Sequence, residues 1–262
     1  VLDTPVELFE TEPRYSFLPE NAPHIAFKNV TFRYSRGTFA VRGLNFSLRR
    51  GETLGIIGAT GAGKSTVIRA LMRYYDVSEG SIEIDGVDIR DYATTDLRAK
   101  FGVVFQNDTL FKDTIRENIR YGRPDATDAE VEAAARAVSA DIVAEKLENG
   151  WDSDVGEGGD KLSTGEKQLV SFARAVLADP RIFVLDEATS SIDTQTEQLI
   201  QEAIEHILRD RTSFLIAHRL STIRRADLIL VVRDGEIVER GTHDTLMQAD
   251  TFYKQLYDAQ FA

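Results

Sequence analysis

At 262 residues, 42 % of them hydrophobic, the chain can fill the core of one large α/β domain or two small ones. A net charge of −12 is the wrong sign for a protein whose main partner is nucleic acid, and the absence of cysteine excludes disulfides and thiolate metal sites. The four histidines show no metal-ligand spacing, and no apolar run approaches the roughly 18 residues of a membrane span.

Residues 1–24 hold Pro5, Pro13, Pro19 and Pro23 and no sustained period, so they read as a linker or surface arm. They are polar and acidic, unlike a signal peptide, and action at a membrane would need another segment. From Ile25 to Tyr34 apolar and polar residues alternate as in a strand, and Val41 to Leu48 does the same. Leu54–Ile57 reads as a short buried strand. Val67–Met72 reads as a helix with one apolar face. Around Asp85-Gly86, two short strands form an expected type I′ hairpin. Phe101–Phe105 is a further buried strand, ending at Gln106.

Residues from about 107 to 168 have helical pieces (Ile115–Ile119, Val131–Val138, Ile142–Leu147) and little strand character. Thr127 and Glu130 form an expected capping box. Ile182–Leu185 is an apolar strand ending in Asp186-Glu187, followed by an amphipathic helix over Leu199–Leu208. Thr212–Ala217 is a strand ending at His218. Asp234-Gly235 marks a second hairpin, and Phe252, Leu256 and Tyr257 predict a docked C-terminal helix. Strands alternate with helices, which predicts a mostly parallel sheet. Its strand ends would gather Lys64, Gln106, Asp186 and His218 on one edge, where open α/β sheets hold ligands.

Gly58-Ala-Thr60-Gly61-Ala62-Gly63-Lys64-Ser65-Thr66 fits the phosphate-binding pattern G-x-x-x-x-G-K-[ST]. A strand, a glycine-rich turn and a helix start aim backbone N–H groups and a positive helix end at one point, which suits polyphosphate. Lys64 would reach the β- and γ-phosphates, and the Ser65 hydroxyl would ligate Mg²⁺. Asp186 would then hold Mg²⁺ and Glu187 would orient an attacking water; alone, the pair could be a solvated strand end. Tyr34 reads either as a strand aromatic or as a platform for adenine. His218 is either a polar strand cap or a donor to the γ-phosphate, and Gln106 either a loop residue or a sensor of metal and water.

In this order the motifs resemble the ATP-binding cassette (ABC) family over essentially all of residues 25–260. Tyr34 matches its adenine-stacking aromatic, Gly58–Ser65 its Walker A motif and Gln106 its Q-loop. Leu162-Ser-Thr-Gly-Glu-Lys-Gln168 matches its signature, Ile182–Asp186 its Walker B motif and Glu187 its catalytic glutamate. Ser190–Asp193 matches its D-loop and His218 its switch histidine. Phe105–Phe111, Thr114–Ile119 and Asp154–Gly158 resemble the exporter branch. The resemblance implies an α/β P-loop NTPase of the RecA-like type, with a mostly parallel core, an antiparallel β subdomain and an inserted helical subdomain at about 107–168. Residues 1–24 would be the linker from a transmembrane domain and 25–262 the cassette.

The resemblance further implies ATP and Mg²⁺ as cofactors. Lys64, Glu187 and His218 would be catalytic. Tyr34, Gly58, Thr60, Gly61, Ala62, Gly63, Lys64, Ser65, Thr66, Gln106, Ser163 and Gly165 would contact nucleotide. Ser65, Gln106 and Asp186 would face the metal. Partners would be a transmembrane domain and a second cassette, with no nucleic acid, at the cytoplasmic face of the cell membrane.

One departure stands out. The family signature usually reads Leu-Ser-Gly-Gly-Gln, but here Thr164 replaces the first glycine and Glu166 the glutamine. In this family each signature faces the nucleotide held by the other cassette. Thr164 adds a branched side chain where glycine would allow close approach or positive φ. A Glu166 carboxylate about 8 Å from an anion would be repelled by roughly 2 kcal/mol at an effective dielectric of 20. Ser163 and Glu166 also read as a capping box that stabilises the helix start, and both readings can hold; an Mg²⁺ and the nearby Lys167 could offset some of the repulsion. The departure favours a heterodimer with a different cassette over a homodimer. The alternative expectation is a low-turnover, ATP-gated clamp with a degenerate nucleotide site.

Overall fold

The computed structural model describes residues 24–34, 39–105, 109–187, 193–209, 211–217, 220–249 and 251–261. The proposed linker up to residue 23, Gln106, the D-loop up to residue 192 and His218 lie outside these. In chain order the first elements are β1 (Ile25–Arg33), β2 (Phe39–Leu48), β3 (Thr53–Ile57), α1 (Lys64–Leu71), β4 (Glu79–Ile84), β5 (Val87–Asp88) and α2 (Thr94–Arg98). Then come β6 (Phe101–Val104), α3 (Ile115–Arg120), α4 (Asp128–Ala137), α5 (Asp141–Glu145), α6 (Thr164–Leu177), β7 (Ile182–Glu187) and α7 (Thr194–Leu208). The last are β8 (Thr212–Ala217), α8 (Leu220–Ile223), β9 (Leu228–Arg233), β10 (Glu236–Gly241), α9 (His243–Gln248) and α10 (Phe252–Phe261). They divide into two compact units, one running to Phe101 and resuming at Thr212, the other Gly102–Arg211.

The first unit carries an antiparallel sheet in the order β2-β1-β4-β5. Alternation in β1 buries Ile25 and Phe27, and then shifts phase: Val30 and Phe32 are buried after a register break. Asn29, at φ 51°, is the bulge residue that returns the apolar set to the core. The same unit carries β10-β9-β3-β8, where β3 runs parallel to β8 and β9, and β10 is antiparallel to β9. Both Asp-Gly hairpins are present. Asp85 and Gly86, and Asp234 and Gly235, all have positive φ, as type I′ turns require. Arg73, two residues past the end of α1, is almost fully buried; its guanidinium reaches Asp76 and the carbonyls of Arg90 and Tyr92, tying the end of the helix to the segment that follows β5. The C-terminal helix docks through Tyr253 onto Ile57, Ile229 and Val231.

In the second unit β7 lies beside β6. Helix α6 is its spine, burying Leu169, Val170, Phe172 and Ala173. Asn118, fully buried, accepts from the Phe111 N–H at 2.8 Å and donates to the carbonyls of Phe111 and Thr114. Arg174 of α6 donates to the Asn118 carbonyl at 2.8 Å and to its side-chain oxygen at 3.0 Å. One amide side chain thereby fixes the loop before α3 to the spine. The Thr127–Glu130 capping box opens α4 as its sequence predicts.

Candidate functional site

The phosphate loop runs from the end of β3 to the start of α1. Gly58 has φ 154°, and a Cβ there would stand 2.1 Å from the Val232 carbonyl oxygen of β9, so only glycine fits. Lys64 is 8 % exposed, and its Nζ donates to the carbonyls of Gly58 at 2.7 Å and Ala59 at 3.0 Å. Helix α1 has no side-chain cap and no acidic residue in its first turn. By contrast, α3, α4, α6, α7 and α9 each have a side-chain cap and an acid there. The Thr66 N–H turns back to the Gly63 carbonyl at 3.0 Å, but no side-chain acceptor or acid of the chain occupies the positive end of α1, where the dipole favours an anion.

This loop opens onto a cavity of about 560 Å³, whose lining includes Tyr34, Lys64, Ser65, Thr66, Asp234 and Gly235. That volume lies in the range of small-molecule sites. Ser65 is exposed into it, whereas Thr66 is buried. The Tyr34 hydroxyl lies 3.4 Å from the Thr66 hydroxyl, and its ring is 38 % exposed. Phe32 and Tyr75 back that ring edge-on, with centroids 5.0 and 6.1 Å away, so the tyrosine is a supported aromatic shelf beside the phosphate loop.

Sequence reading missed the turn of the second hairpin as part of this site. The Gly235 N–H donates to the Ala62 carbonyl at 3.0 Å, and the Gly235 carbonyl accepts from the Arg42 N–H at 2.8 Å. The turn therefore braces the phosphate loop from outside. Its only sequence signal was the Asp-Gly pair, which announces a hairpin but not its neighbour. Thr60 and Gly61 are exposed at the tip of the loop, and Ala62 is buried beneath it.

In the second unit, Asp186 is half-buried near the end of β7, and Glu187 closes that strand. The signature segment opens α6. Ser163 is its N-cap, its hydroxyl accepting from the Glu166 N–H at 3.3 Å, while the Glu166 Oε2 accepts from the Ser163 N–H at 2.9 Å. Gly165 is buried and Thr164 exposed. Thr164 takes ordinary helical φ, so this position does not demand glycine for its backbone. The other carboxylate oxygen of Glu166 receives the Lys146 ammonium at 3.2 Å. Lys146, rather than the adjacent Lys167, is thus the cation on Glu166. Burial pushes the Glu166 carboxyl up, but the Ser163 N–H, the Ser163 hydroxyl and Lys146 together hold it below its usual range.

Comparison with known proteins rests on the same segments. The profile of the family described as ABC transporter matches residues 41–190. The chain belongs to the ABC transporter family. Over 256 residues, 98 % of the chain, it is 49 % identical to a fatty acid ABC transporter ATP-binding/permease protein of Mycobacterium bovis, covering 40 % of that protein. It is 45 % identical over 261 residues to an ATP-dependent lipid A-core flippase of Desulfotalea psychrophila, covering 99 % of this chain and 45 % of that one. A solved structure of a bacterial Atm1-family ABC exporter with ATP bound superposes with a TM-score of 0.88 at 43 % identity, covering 98 % of this chain and 44 % of that chain. The chain spans less than half the length of each of these. It is an ABC ATP-binding domain with a P-loop α/β fold, similar to the corresponding part of these exporter proteins.

Among the described residues no group of three or more His, Asp or Glu side chains could hold a metal. Mg²⁺ typically needs no such cage: one or two carboxylates, a hydroxyl and substrate phosphates serve. Ser65, exposed into the cavity beside the phosphate loop, offers the hydroxyl of that donor set.

Proposed function

We propose that this cassette binds and hydrolyses ATP with Mg²⁺, closes head to tail on a second cassette, and drives a substrate outward through a transmembrane domain. The observation that carries the reading is the uncapped start of α1 beside Lys64, opening on a cavity with an aromatic shelf at Tyr34. In this proposal the Tyr34 ring stacks on adenine, and the backbone of Gly61–Thr66 cradles the phosphates. Lys64 gives up its loop carbonyls and donates to the terminal phosphate oxygens. Ser65, Gln106 and Asp186 hold Mg²⁺, which when bound offsets charge on the β- and γ-phosphates. Glu187 accepts a hydrogen bond from the attacking water and aligns it with phosphorus. His218 donates an N–H to the γ-phosphate, where charge accumulates.

No helix among the described residues is long and apolar enough to cross a membrane. The proposal therefore places the membrane helices in another domain, with the cassette at its cytoplasmic face. Relatives named for fatty acid transport and for lipid A-core flipping support an amphiphilic substrate class. The departure at Thr164 and Glu166 favours a different cassette as partner, although the Lys146 ion pair weakens the charge side of that argument. With Glu166 paired, the low-turnover clamp has no geometric support.

The test is Glu187→Gln. Phosphate release should fall to background while ATP stays bound and the cassettes stay associated. Brisk hydrolysis by that variant would falsify the assignment of the water-aligning residue.

A further inference from the structure

The signature of this chain carries a carboxylate at the end of a helix that, in the proposed function, faces a triphosphate. The structure shows how the chain handles that charge. Both Glu166 oxygens are engaged: Oε2 by the Ser163 N–H at 2.9 Å, Oε1 by the Lys146 ammonium at 3.2 Å. The Glu166 side chain is 18 % exposed and that of Lys146 58 %. The ion pair is therefore half-sheltered at the carboxylate and open to water at the ammonium. Lys146 follows α5, twenty residues before Glu166, and is not a neighbour on the same helix.

We infer that Lys146 is a positioning residue for the altered signature: its ammonium neutralises Glu166 and pins it in the capping box, so that Ser163 and the α6 N-terminus can face an anion. This rests on the proposed function, in which the signature meets the nucleotide of a second cassette. The pair acts as a unit. Glutamate with Lys146 gives the helix start no net charge, as glutamine alone would. Glutamate without Lys146 leaves a bare carboxylate beside the triphosphate. A unit charge about 8 Å away, at an effective dielectric of 20, corresponds to roughly a thirty-fold loss of affinity before salt screening. Partial exposure reduces this to about ten-fold at low salt.

The test uses the intact transporter that carries this cassette, with Mg-ATP as the probe. Lys146→Met keeps the apolar stem and removes the charge. It should raise the KM for ATP about ten-fold at low ionic strength and change kcat less than two-fold, and the KM effect should shrink as salt rises. Lys146→Arg should behave as the parent. Glu166→Gln, introduced into Lys146→Met, should restore the parental KM, because the carboxylate is gone. Thermal midpoints of all variants check that folding is intact. If Glu166→Gln does not restore the KM, Lys146 acts through some other group and the inference is overturned. If Lys146→Met leaves the KM unchanged while Ser163→Ala raises it, the ion pair is irrelevant but the signature still faces nucleotide. If neither variant changes the KM, the facing-signature reading falls as well.

Discussion

Lys64 is usually considered for what it does to nucleotide, yet in this chain it also holds the loop together. The residue is 8 % exposed, and its ammonium donates to the Gly58 carbonyl at 2.7 Å and the Ala59 carbonyl at 3.0 Å. Lys64→Met keeps most of the stem and deletes both bonds. Hydrogen bonds from a charged donor contribute about 1.5–3 kcal/mol each. Two effects reduce the sum: Ala59 is exposed, so water can replace the lost donor there, and burying an ammonium carries its own desolvation cost. The net loss in nucleotide-free protein should be about 1–3 kcal/mol. At about 2–4 °C per kcal/mol for a domain of this size, the melting temperature should fall by several degrees. ATP at a hundred times its Kd should stabilise the parent by about 2.7 kcal/mol, and the variant far less. Urea titrations with and without Mg-ATP measure both quantities. An unchanged midpoint without nucleotide would refute the structural role, whatever happened to ATP binding.

Three further outcomes are expected. Gly235→Ala should weaken ATP binding and lower stability by more than about 1 kcal/mol, measured by calorimetry and by melting, because at φ 81° its Cβ would stand 2.9 Å from the Ala40 carbonyl oxygen. Tyr34→Leu should raise the Kd for ATP about ten-fold but that for inorganic triphosphate little, since base stacking contributes about 1–3 kcal/mol and the phosphates do not use the ring. Burial, with help from Arg224, holds the His243 imidazole below its ordinary value, and its Nδ1 lies 2.8 Å from the Tyr253 hydroxyl. Burial pushes the Tyr253 phenol up to about 12. Stability from His243 should therefore be full above its unfolded pKa and lost as pH falls below it. That from Tyr253 should be full below its unfolded value and lost as pH rises towards 12; unfolding titrations of His243→Gln and Tyr253→Phe against pH check both.

Local chemistry was the legible part of the sequence. Asp85-Gly86 and Asp234-Gly235 announced their turns because few other residues accept two successive positive φ angles. Thr127 with Glu130, and Ser163 with Glu166, announced their helix starts because a capping box is complete within four residues. Helix α2 gave no such sign, since Ala93 at its N-cap has no side chain to offer. Contacts between distant segments were not legible. Lys167, next in sequence to Glu166, was the obvious counter-ion, but adjacent helical residues point about 100° apart. Its Cε lies beside Gly159 instead, and Lys146 takes the role. Likewise the alternation of β1 predicted an unbroken strand, and the Asn29 bulge shows itself only against its partner strands.

The bond from Gly235 to Ala62 joins opposite thirds of the chain. A nascent polypeptide leaving the ribosome has its whole phosphate-loop sequence long before β9 and β10 exist to clamp it. Until they emerge, the motif is present only as letters. Competence to grip a nucleotide should accordingly be acquired late in synthesis, in one step, when the final hairpin closes over the loop.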